Sequence, residues 1–227
     1  MAANHDVIRK FRERVQTTIA SHNELLLAIH NKRNEASLET LLSEQFVLLV
    51  TVFWEAFVND LVIAYVTIDP RICVKNLRLK IVQSITDRHG SEVSRALRFA
   101  FPASITRTRA AALLDPRKWN ITFDSAQTLA SRTNAVIAAT HAKKFALNAE
   151  DSQFLDYAIS LRNFLSHRSA GSREILKARV NELSGARNAC FKAPTRNLGT
   201  YLKYKDAAGN SRSVLIAQRF CLLAAAL

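Results

Sequence analysis

The chain is poor in the residues that build corners: 5 glycines and 4 prolines in 227 positions. Turn-dense β sandwiches and barrels need both at their tight connections, so a helical fold is expected instead. Three cysteines (Cys73, Cys190, Cys221) are scattered and never in C-x-x-C spacing. They offer no disulfide framework, which points to a reducing compartment, the cytoplasm. The six histidines (His5, His22, His30, His89, His141, His167) pair with no other His, Cys or carboxylate at metal-ligand spacing, so neither metal nor cofactor is expected. Glycine-rich phosphate loops and nucleophile elbows are absent. So is the apolar core of a signal peptide at the N-terminus. The apolar run 46–66 carries Glu55, Asn59 and Asp60 near its middle. Charges there are costly in a bilayer, so the run reads as a buried core helix and no membrane partner is expected.

What is present is apolar content of 48%, enough to bury the core of one domain. The net charge is +13, unevenly spread. Residues 1–70 hold 6 basic and 9 acidic side chains, residues 71–118 hold 11 and 3, and residues 119–227 hold 15 and 7. A one-sided field of this kind favours a polyanion or an acidic protein partner.

Taken in order, residues 7–32 form a first helix. Ser37 N-caps a second, running to about Val66 and stopping before Asp69-Pro70. At ~1.5 Å per residue it spans about 45 Å and should be central, with Trp54 and Phe57 packed against neighbours. Residues 71–88 read as a basic amphipathic helix capped by Gly90, and 91–99 as a short helix halted at Pro102. Residues 102–120 read as an irregular basic connection. Within this basic insert, Arg71, Lys75, Arg78, Arg107, Arg109, Arg117 and Lys118 are the candidates for gripping a phosphate backbone. Few aromatics (Phe99, Phe101, Trp119) stand nearby to stack bases, so the insert is no sequence reader. Asp124 caps a helix over 125–140, and Asn148 caps the next, with Asp151 in its first turn and Gly171 closing it. Residues 173–183 add a helix. Thr200–Lys205 and Arg212–Ile216 flank Asp206–Asn210 as a small β-hairpin ahead of a final helix, 217–226.

The helix after Asn148 holds the most capable chemistry. At ~100° per residue, Phe154, Ala158, Leu161 and Leu165 share a core-facing stripe, while Arg162, Asn163, Ser166 and His167 lie on the other side. Such a polar face also fits plain solvation. Arg162-Asn-Phe-Leu-Ser-His167 resembles the R-N-x-x-x-H motif of HEPN domains, all-helical RNA-cutting and nucleotide-binding modules. Trp54-Glu55-Ala-Phe57 looks like the W-E-x-(F/Y) helix of bacterial HEPN proteins of the RiboL-PSP kind, and the Lys144–Asp151 run ahead of the motif helix is a third match. The likeness covers about residues 38–180, leaving 195–227 as an extension.

That resemblance implies a HEPN-like bundle working as a homodimer, with both copies of Arg162 and His167 lining one cleft. It also places Glu55 beside the motif helix, where Arg162 or Asn163 would satisfy it. The residues suit metal-independent RNA transesterification. Histidine serves as acid or base near neutrality, arginine stabilises the phosphorane-like charge, and Asn163 orients the hydroxyl or imidazole. Ser166, Glu55 and Arg168 are supporting residues. The family setting suggests a toxin or antiphage effector with an antitoxin or activating partner. Two alternatives stay open: a non-catalytic module binding nucleic acid or nucleotide beside a nucleotidyltransferase, and a helical scaffold.

Overall fold

A computed structural model describes residues 2–96, 104–115, 123–193, 195 and 197–227. The fold is all-α: among the described residues there is no strand. Helices α1 (Ala2–Ile29) and α2 (Glu35–Ile68) make an antiparallel hairpin, with Phe11 stacked on Phe57 at 4.5 Å and His22 on Phe46 at 4.3 Å. The turn between them places Asn31 at φ 62, a left-handed conformation that asparagine tolerates better than most residues. Glu35 closes it by accepting from the Asn31 backbone N–H at 2.7 Å and contacting His30 Nδ1 at 2.9 Å. This closure starts α2 two residues before Ser37, which lies inside the helix instead of capping it.

Helix α2 is the central element. Its length and mean hydropathy of 1.9 would suit a bilayer, yet 61% of that apolar window is buried inside the protein. Trp54 and Phe57 are both buried, Trp54 with its ring 5.0 Å from Phe220. Phe220 belongs to the last helix, α11 (Arg212–Ala226), and also meets Phe154 at 5.2 Å on α8 (Ala149–His167). The three rings knit α2, α8 and α11 into one core.

Helix α3 (Arg71–His89) ends at Gly90, φ 83, as its position predicts. Of its residues only Cys73 is fully buried, so it lies on the body rather than in it. Asn76 donates to the Ala135 carbonyl at 2.7 Å and ties α3 to α6 (Ala126–Asn134). Residues 91–96 form α4. The proposed stop at Pro102 and the residues Phe99, Phe101, Trp119, Arg117 and Lys118 lie outside the described residues.

Five local expectations are corrected. The insert is not wholly irregular: Thr106 caps α5 (Arg107–Leu114), which packs on α2 through buried Ala110. Ser125, not Asp124, caps α6, its hydroxyl accepting from the Thr128 N–H at 3.1 Å. That helix ends at Asn134, and α7 (Ala139–Ala142) is separate. Gly171 does not close α8. Arg168 does so at φ 51, and Ser169 then caps α9 (Ala170–Glu182), which absorbs Gly171. The hairpin shrinks to a single bridge, Lys205 to Ser211, because its flanks are helical: α10 (Leu198–Lys203) before it and α11 starting at Arg212 after it. Ser211 accepts from the Val214 N–H and so begins a helix where the second strand of the hairpin was expected.

Candidate functional site

Helix α8 starts where Asn148 Oδ1 accepts from the Asp151 N–H at 2.9 Å. Asp151 is then fixed by a buried ion pair with Arg219 of α11 and a 3.5 Å approach from Arg187. Arg187 also holds Glu150, at 2.8 Å. The helix is therefore anchored at its first turn, and its register in the core follows. Phe154, Ala158, Leu161 and Leu165 are buried, as their spacing predicts. Arg162 and Asn163 emerge half-buried, and Ser166 and His167 are exposed.

Arg162 meets Glu55 of α2. Its Nη2 lies 3.2 Å from both carboxylate oxygens, and its Nη1 donates to Asn163 Oδ1 at 3.0 Å. The expected association of Glu55 with the motif helix is thus present. Burial pushes the Glu55 carboxyl above its ordinary range, and the Arg162 charge pulls it partly back. The guanidinium is held in one orientation, with 33% of the side chain still open to solvent. His167, the last residue of α8, has no hydrogen-bond or ion-pair partner among the described residues. It points about 140° around the axis from Arg162 at ~100° per residue. One chain therefore displays the two residues without converging them.

Arg168 has a structural part. It caps α8 in the left-handed region, pairs with Glu44 of α2, and stands 5.5 Å over the Phe164 ring. Arg173 of α9 lies over the same ring at 6.0 Å. The sequence pattern missed it, because a residue on the next helix comes close only after Arg168 reverses the chain. The clustering of arginines in 162–173 was the available signal.

Beside this face, α2 exposes aliphatic residues: Leu41 (52%), Leu49 (43%) and Val52 (49%). By helical geometry Leu41 and Val52 fall within about 80° of Glu44 and Glu55, on the edge that meets α8. An aliphatic strip therefore borders the Arg162–Glu55 pair.

The insert cations divide into two groups. Arg71 is committed to Asp69 by two bonds of 2.9 and 2.8 Å, which hold the Asp69 carboxyl down at about 2. Arg107 is tied to Asp60 at 2.7 Å. Lys75, Arg78 and Arg109 are exposed, and none of the three has an ion-pair partner among the described residues. No family model, curated protein or solved structure matches the chain.

Proposed function

We propose that this protein is a metal-independent endoribonuclease of HEPN-like bundle type, acting on RNA as a homodimer. The observation that carries the reading is the Arg162–Glu55–Asn163 arrangement on the same helix as an exposed His167 that has no partner among the described residues. A guanidinium oriented before substrate arrives suits stabilisation of a phosphorane-like charge. A free imidazole is available to take or give a proton. The 2′-hydroxyl attacks the adjacent phosphorus as its proton is removed. The bond to the 5′-oxygen breaks as that oxygen is protonated, leaving a 2′,3′-cyclic phosphate and a 5′-hydroxyl. Acid and base on opposite sides of the phosphate require two histidines, hence two chains. Burial of the aliphatic strip of α2 against a second copy would bring the two α8 faces together. A role as a cytoplasmic toxin or defence effector, restrained or activated by a partner, completes the proposal.

The second reading is a non-catalytic nucleic-acid- or nucleotide-binding module. It is favoured by the pairing of Arg162 with Glu55, which neutralises much of the charge that a phosphate would meet. The deciding experiment is cleavage of a mixed RNA pool in EDTA by wild type, His167→Ala and Arg162→Ala, with matched DNA as control. RNA-only cutting that both substitutions abolish, with cyclic-phosphate ends, is expected. Cutting that survives His167→Ala would sink the mechanism.

A further inference from the structure

Arg212 is a buried cation without a counter-ion among the described residues. Only 5% of the residue is exposed, yet among the described residues no carboxylate lies within ion-pair distance of it. Its Nε donates to the Cys190 carbonyl and its Nη1 to the Tyr201 carbonyl, both at 2.6 Å. Its faces are covered by two rings, Tyr201 at 4.2 Å and Tyr204 at 4.7 Å. Carbonyls and ring faces attract a guanidinium but leave its unit charge uncancelled, and burial makes that expensive. Its position adds to the cost, because Arg212 is the first residue of α11, at the positive end of a 15-residue helix.

The uncancelled charge opens onto a cavity of about 540 Å³ that Arg212 lines together with Lys192, Cys190, Tyr201 and Tyr204. Nη2 is the guanidinium nitrogen that makes no hydrogen bond among the described residues, and it is not among the buried nitrogens shut off from solvent. Lys192 brings a second, exposed cation to the same cavity. Tyr204 is 59% exposed although its ring is stacked on Arg212, so aromatic surface also stands open at the mouth. A cationic floor beside an open aromatic face matches a phosphate joined to a planar ring.

We propose that this cavity in the C-terminal extension is a nucleotide-binding site, the phosphate seated on Arg212 and Lys192 and the base stacked on Tyr204. The source is either a free nucleotide or one unit of a single-stranded RNA. In the second case the site gives the proposed nuclease a hold on its substrate away from Arg162 and His167. Tyr201 connects the two regions: its hydroxyl lies 2.8 Å from that of Tyr157, inside α8 and five residues before Arg162.

Cys190 lines the same cavity and is partly exposed, whereas Cys73 and Cys221 are buried, so alkylation reads this site locally. The test uses the full His167→Ala chain, in which the proposed nuclease leaves RNA uncut, and the length of the RNA is checked on a gel after each labelling so that a failure of that reading is seen separately. Iodoacetamide labelling of Cys190 is followed by peptide mass in buffer alone, then with adenosine monophosphate, with inorganic phosphate, and with a short oligo-adenylate RNA. A slowing of at least fivefold by the monophosphate or the RNA, exceeding that by phosphate, is expected. Protection by RNA alone assigns the site to the strand, and protection by the free nucleotide assigns it to the metabolite. Tyr204→Ala and Lys192→Ala should each remove most of the protection, and Lys192→Ala, at an exposed position with no ion pair among the described residues, should do so at the wild-type melting temperature. Equal labelling rates in every arm would overturn the proposal, as would protection that survives both substitutions.

Discussion

Arg162 and Glu55, 107 positions apart in the chain, share a contact of 3.2 Å between α8 and α2. Both are partly open to water, so the pair is worth about 0.5–1 kcal/mol as a surface ion pair. The direction of its pH dependence is fixed by Glu55. Its folded-state pKa is raised above the ordinary 4.5, so the carboxyl is favoured protonated in the fold at low pH, and that contribution disappears as pH rises through the folded value. Arg162 offsets the penalty only when Glu55 is ionised. The difference in urea midpoint between wild type and Arg162→Ala should therefore widen from pH 4 to pH 7. A difference that stays constant would show the pair to be uncoupled.

The anchor at the start of α8 predicts a larger loss. Arg219 is 4% exposed and depends on Asp151 for its charge. Asp151→Ala leaves that cation buried and uncompensated, costing about 3–5 kcal/mol in urea unfolding. Glu44→Ala frees Arg168, which is half exposed and rehydrates, so its cost should be about 1 kcal/mol or less. Similar losses in the two variants would refute this ranking.

His22 governs an acid-sensitive term. Burial lowers its folded-state pKa below the ordinary 6.5, and its Nε2 has no hydrogen-bond partner among the described residues. The unfolded chain then takes up a proton that the folded chain refuses. The fold is fully credited above about pH 6.5 and loses stability as pH falls toward the depressed value. His22→Phe keeps the stack on Phe46 without titrating. Its melting temperature should gain on wild type as pH drops from 7 to 5, and a pH-independent gap would count against the assignment.

RNA affinity should depend on which insert cations are free. Arg78→Ala and Arg109→Ala should each reduce the log-affinity against log-salt slope by about 1, the signature of one lost phosphate contact. Arg71→Ala and Arg107→Ala should change it less, because Asp69 and Asp60 already hold those charges. Equal effects at all four positions would mean that the ion pairs open on binding.

The strip on α2 sets the assembly prediction. Leu41→Glu combined with Val52→Glu places charge in the proposed dimer contact without touching the core. Sedimentation should show a dimer for wild type and a monomer for the variant, with RNA cutting lost and helicity unchanged. A variant that stays dimeric would place the contact elsewhere.

Much of this protein could be read from residue pattern alone. Scarce glycine and proline signalled helices, and the spacing of Phe154, Ala158, Leu161 and Leu165 identified the buried stripe of α8. Asn148 and Gly90 marked their helix ends because caps act through neighbours within one turn. Errors arose where local signals competed. Ser169 displaced Gly171, Ser211 turned the expected second strand of a hairpin into a helix, and Glu35 moved the start of α2. What only the tertiary structure decided is electrostatic and long-range. Arg162 is held by Glu55, Arg71 by Asp69, and Arg212 is buried with no counter-ion among the described residues. No window of sequence contains those partnerships, because a charge is cancelled by whatever the fold brings within a few ångströms, not by its neighbours along the chain.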